Sequence, residues 1–189
     1  LYLGERQKGG IFKPCVATIP FSQISGALNA RFGLNYVKAV GYLSDGSEFN
    51  RVNYLVYAPR DRVKDLSKIP LHVEFLSNVL GRVFVVENEL TNGFPERFEI
   101  IMGGLRSKGF GVCILNKVKV LDAEKRTEGI LKVRIPLGEI GNFSIRLKEK
   151  PVYGYLFKPV PNTFTGNYII SLFEGSEVEA PDFLINPKS

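Results

Sequence analysis

With 189 residues, 44% of them hydrophobic and 23% charged, the chain is long enough for one well-buried domain, short for two, and too apolar for wholesale disorder. Its net charge of +6 leaves room for a polyanionic partner. One histidine and two distant cysteines exclude a metal-ligand cluster or a disulfide framework, and no run approaches the roughly 18 apolar residues of a membrane span, so a cytoplasmic protein with no cofactor, metal or membrane partner is expected.

In chain order, residues 1–20 read as the end of a strand, a loop holding Gly4, Gly9 and Gly10, and an extended Val-Ala-Thr-Ile-Pro segment. Pro20 disfavours helix at Ile19, and the next residues predict a short helix. Ser22 is its expected N-cap; Ile24, Leu28 and Phe32 recur on one face, and Gly33 supplies the stop. From about Tyr36 to Tyr57 the pattern is β, with a turn at Ser44-Asp45-Gly46. Strands are predicted at Leu71–Phe75 and Arg82–Val86, and a short helix over Phe94–Met102 with Pro95 in its first turn. Strands are predicted again after Gly111, through Leu121, with Lys117 and Lys119 on a wet face. Others follow at Ile130–Ile135, Phe143–Leu147, Val152–Phe157 and Tyr168–Phe173. Residues 1–173 form the expected single domain, and the acidic, Pro-containing stretch 174–189 reads as a peripheral arm. Mostly strands with two short helices imply an α+β domain on an antiparallel sheet, with additional β-hairpins.

The loop Gly103-Gly104-Leu105-Arg106-Ser107-Lys108-Gly109-Phe110-Gly111 concentrates the chemistry. Four glycines in nine residues permit positive φ and close backbone approach, and such turns present N–H groups to anions. Arg106 and Lys108 add charge, Ser107 a hydroxyl, and Phe110 either an anchor in the core or a ring for stacking on a base. The phosphate-loop spacing is absent, because Gly109 is followed by Phe110 and not Lys, and the loop feeds a strand where a dinucleotide fold needs a helix. The stretch Gly103–Arg134 carries eight bases against three acids, enough to make a local surface for phosphates or a plain solvated face.

These residues resemble the RAMP superfamily, the repeat-associated proteins of CRISPR systems. Its glycine-rich loop, close to GGxxSxGxG, is matched by Gly103, Gly104, Ser107, Gly109 and Gly111. A second family motif, close to IPGSSLKGALR, is met at Ile19, Pro20, Ser22, Gly26, Ala27 and Leu28, departing at Phe21 and with Arg31 a little late. Leu1-Tyr2-Leu3-Gly4 looks like the end of the family's first strand, which implies that residues precede Leu1. The resemblance covers roughly residues 1–120. It implies a ferredoxin-like (RRM-like) fold, contact with a CRISPR guide RNA, and assembly beside other subunits of an effector complex. The RNA contacts it implies are Ser22, Gln23, Ser25, Arg31 and the loop residues Gly103, Gly104, Arg106, Ser107, Lys108, Gly109, Phe110 and Gly111. The motif serines are alternatively plain helix caps.

Some members of that superfamily cleave RNA, often with a histidine. Here the catalytic set is expected to be empty, with His72 as the sole histidine available for acid–base work. It alternates with Leu71, Val73 and Phe75, which puts it on the opposite sheet face beside Glu74, a surface or packing position. The expected function is therefore a non-catalytic guide-RNA-binding subunit. The alternatives are an endoribonuclease that processes guide precursors and a protein-interaction module.

Overall fold

The computed structural model describes residues 1–4, 10–46, 48–61, 63, 66–89, 91–118, 121, 125–160 and 165–186. The described chain is mixed α+β, with its strands in small sheets of two or three that are mostly antiparallel. Strands β1 (Phe12–Lys13) and β2 (Thr18–Ile19) are short because Pro14 and Pro20 follow them and lack the N–H that would extend a ladder. Helix α1 (Phe21–Phe32) starts at once after Pro20, whose carbonyl accepts from Gln23 N at 3.0 Å and Ile24 N at 3.2 Å. Pro20 is thus the N-cap, and Ser22, expected there, lies within the first turn. Gly33 ends the helix in the left-handed region, its N–H on Asn29 O, as the pattern required.

Strands β3 (Ala39–Leu43), β4 (Arg51–Tyr57), β5 (Leu71–Ser77) and β6 (Gly81–Val85) pair as a nested ribbon, β3 with β6 and β4 with β5. The turn at 44–46 is therefore an excursion between strands with different partners. Asn50 and Asn78 close it. Both adopt positive φ, which asparagine tolerates, and the Asn50 amide donates to Ser44 O and Leu80 O while that of Asn78 donates to Glu48 O.

The segment predicted as a helix over 94–102 holds strand β7 (Arg97–Ile101), paired with β8 (Val112–Asn116). Period two wins there: Phe98 and Ile100 turn inward while Arg97, Glu99 and Ile101 face water. The predicted continuation of β8 to Leu121 ends at Asn116; Val118 is exposed, and Lys119 and Val120 lie outside the described residues.

Beyond it come β9 (Arg126–Ile130), β10 (Ile135–Pro136), a 3₁₀ segment (Leu137–Phe143), β11 (Arg146–Leu147), β12 (Tyr153–Pro159), β13 (Gly166–Leu172), β14 (Glu177–Pro181) and α2 (Asp182–Ile185). They form two sheets, β10-β13-β12 and β11-β14-β9. The stretch expected as a peripheral acidic arm is integral. β14 is the middle strand of its sheet, and Val178, Ala180, Leu184 and Ile185 are buried. Its acids alternate with apolar residues, so Glu177 and Glu179 reach outward to Lys150 and Arg146 while the residues between them enter the core.

Two apolar clusters result, and β3 stands between them. Ala39 faces one, with Leu3, Ile19, Ile24, Leu28, Ile100 and Met102; Val40 and Tyr42 face the other, with Leu131, Val133, Ile135, Leu172 and Leu184. Alternation on a strand buried on both faces explains how one short segment serves two cores.

Candidate functional site

The glycine-rich loop joins β7 to β8, and Met102 N closes its base on Gly111 O at 2.8 Å. Gly103, Gly109 and Gly111 all have positive φ. At Gly111 a Cβ would collide with the Met102 carbonyl, and at Gly103 with the carbonyl of Tyr2, so glycine is required twice over at these positions. The Tyr2 ring covers Gly104, whose N–H donates to Tyr2 O at 3.0 Å. Phe110 packs edge-on against Phe75 of β5 with centroids 4.9 Å apart, which makes it the anchor of the two roles open to it.

Between those anchors the tip is a single 3₁₀ turn, Arg106–Lys108, closed by Lys108 N on Leu105 O and Gly109 N on Arg106 O. The N–H groups of Arg106 and Ser107 open the turn and make no bond within it. Arg106, Ser107, Lys108 and Gly109 are exposed. Arg106 Nε reaches back to Gly103 O at 3.1 Å, which stiffens the loop and leaves the rest of the guanidinium outward. Lys108 Nζ lies 5.2 Å from the ring centroid of Tyr57, a cation–π contact that holds the ammonium beside the β4–β5 sheet.

The residues of the helix motif separate. Gln23 Nε2 donates to Gly4 O at 3.3 Å, while its Oε1 is buried without a partner among the described residues. Ser25 is buried, with its Oγ 2.9 Å from Ala39 N and 3.0 Å from Ala39 O, and ties α1 to β3. Arg31 Nε donates to Glu99 O at 2.9 Å, which caps the outer edge of β7. Ser22 is half-buried at the start of α1. Both motifs nevertheless meet on one short segment, because Gln23 bonds Gly4 and Gly104 bonds Tyr2. Tyr2, Tyr57 and Phe75 thus support the site and were not singled out from the sequence. Tyr2 and Gly4 sit in a stretch read only as the end of a strand, and Tyr57 and Phe75 were read only as strand residues.

His72 lies on the opposite face of β5 from Phe75. It is exposed, in register with Val56 on one side and Phe12 on the other. Neighbouring Glu74 accepts from Cys15 N at 3.0 Å. The loop contacts Phe75 and Tyr57 on the other face, so His72 points away from it. Burial pushes both thiols, Cys15 and Cys113, up, which disfavours a reactive thiolate at either. Among the described residues no group of three His, Cys, Asp or Glu is gathered as a metal would need, and no helix is long and apolar enough to cross a membrane.

The basic stretch is partly neutralised. Arg134 forms a two-pronged pair with Glu174, with contacts of 2.6 Å and 2.7 Å, and stacks 4.4 Å from the Phe173 ring centroid. The pair joins the 131–136 segment to the corner before β14. Desolvation of the half-buried Glu174 carboxyl pushes its pKa up, but hydrogen bonds from Arg134 and from its own backbone, with the Arg134 charge, outweigh this and hold it below the usual range.

No protein-family model matches the chain, and neither a curated protein nor a solved structure does.

Proposed function

We propose that this chain is a non-catalytic RAMP-type subunit that holds the backbone of a CRISPR guide RNA with the exposed tip Arg106–Gly109 and docks beside other subunits of a cytoplasmic effector complex. The observation that carries the reading is the meeting of its two motifs, distant in sequence, on the single segment Tyr2–Gly4. A ferredoxin-like (RRM-like) arrangement belongs to the same reading, supported by α1 packing against β3 and β7. The tip itself offers two cations, a hydroxyl and unengaged N–H groups on a short arc, which suits a phosphate oxygen better than a base edge. Sequence specificity would then come from guide pairing, with the protein reading backbone and shape.

The test is binding of a labelled CRISPR-repeat RNA by wild type and by the Arg106→Ala/Lys108→Ala variant across a salt series. Two lost phosphate contacts on a single strand should flatten the salt slope by about 1.4. An unchanged slope would remove the loop from the interface. Cleavage of the RNA at one site would instead favour the processing endoribonuclease, and absence of binding at every salt concentration would favour the protein-interaction module.

A further inference from the structure

A second surface lies outside both motifs, on the hairpin of β12 and β13. One face of this hairpin belongs to the core: Leu156 and Ser171 are buried, and the Phe173 ring fills the space a side chain would take at Gly154. The other face is aromatic and largely exposed away from its Leu172 end, where Leu172, opposite Tyr153, enters the core. Tyr155 is 62% exposed, Tyr168 57%, Tyr153 49% and Ile170 48%, with Phe157 half-buried between them. Register makes these a contiguous block, since Tyr155 stands opposite Ile170 and Phe157 opposite Tyr168. Phe157 and Tyr168 meet edge-on at 5.5 Å.

We infer that this face is a stacking platform for the bases of single-stranded RNA. The inference rests on the proposed RNA-binding function and adds to it a surface that takes bases where the glycine loop takes backbone. Three features favour this occupant over others. Tyr153, Tyr155 and Phe157 recur at alternate positions, about 6.8 Å apart along the strand, a step one extended nucleotide can span. From Lys150 to Phe173 the sequence has two lysines and no aspartate or glutamate. Lys150 is paired with Glu177, and Lys158 is exposed on the face of the hairpin opposite the rings, so the hairpin itself brings no acid that would repel a phosphate. The rings are mostly tyrosine, whose polar tip tolerates water when the face is empty while its π-face stacks on any base.

The experiment uses the whole chain, a labelled single-stranded RNA and the same RNA annealed to its complement. Tyr155→Ala/Tyr168→Ala should weaken single-strand binding at least tenfold with the salt slope unchanged, and should leave duplex binding as it was. The chain has eight tyrosines and no tryptophan, so tyrosine emission is readable directly. Wild type should be quenched by the single strand, and Tyr155→Phe/Tyr168→Phe should keep the affinity while losing much of the quenching. That second variant reports on the platform even if the alanine variant fails to fold. Unchanged affinity in the alanine variant, with binding still weakened by Arg106→Ala/Lys108→Ala, would overturn the platform and leave the proposed function standing. A wild type that binds no RNA would overturn both. Loss of self-association in the alanine variant with RNA affinity unchanged would make the face a contact between copies and overturn the platform.

Discussion

Residues 1–116 fasten their core with polar and glycine contacts: Ser25 bridges α1 to β3, Arg31 caps β7, and Gly103, Gly104 and Gly111 let the loop lie against Tyr2 and Met102. Residues 125–186 close theirs by apolar alternation, in β14 and its neighbours, and set their charges outside as a lattice of pairs at Lys148–Glu128, Arg146–Glu179 and Lys150–Glu177. The contrast bears on how motifs are read. In the first region residues that look chosen for a ligand, Ser25 above all, are held by the fold itself, while the arc Arg106–Gly109 stays exposed. In the second, a stretch that looks like solvent-facing ornament supplies the middle of a sheet.

The contrast is broken most forcefully at Leu184, which is fully buried beneath the second core. Leu184→Ala should cost about 2–5 kcal/mol by urea denaturation, and a change under ~1 kcal/mol would restore the peripheral arm. Gly111→Ala combines a left-handed φ with a collision at the Met102 carbonyl, for an expected loss of about 2–3 kcal/mol. Gly109→Ala shares the positive φ but meets nothing within 4 Å, so about 1 kcal/mol is expected. Equal losses at the two glycines would show that the loop is not pinned at Met102. Ser25→Ala strips the partner from the Ala39 N–H in a buried setting and should cost about 1–3 kcal/mol while RNA affinity stays unchanged. A drop in affinity without loss of stability would return Ser25 to the interface.

The smallest effect concerns acid. The carboxyl of Glu174 is held below its ordinary range in the folded protein, so its contribution is complete above that range and is lost as the pH falls through the lowered value. The urea midpoint of wild type should therefore exceed that of Glu174→Gln near neutrality, and the gap should close on acidification. A gap that persists unchanged at low pH would assign the difference to the geometry of the Arg134 contact rather than to charge.

Much of the local structure was legible. The helix after Pro20 and its stop at Gly33, the strands at 71–75, 82–86, 152–157 and 168–173, and the exposed cations of the glycine loop follow from periodicity and turn chemistry. Two of the errors share a cause. At 94–102, Pro95 mimicked a helix start, although the residues after it alternate; at 174–186, net acidity obscured the alternation of Glu177, Val178, Glu179 and Ala180. A proline or a charge total is read without partners, whereas a strand exists only when another strand accepts its hydrogen bonds.

The same division holds for the site. By itself the sequence determined which residues carry charge, that the glycine loop has the freedom to turn with positive φ, and which stretches alternate, because these depend on each side chain and its immediate neighbours. Only the tertiary structure decided that Phe110 anchors, that Ser25 and Arg31 are spent on β3 and β7, and that His72 faces away from the loop. Those outcomes depend on which distant segment, Tyr2–Gly4, β5 or β7, arrives at the same place, and no local pattern encodes that meeting.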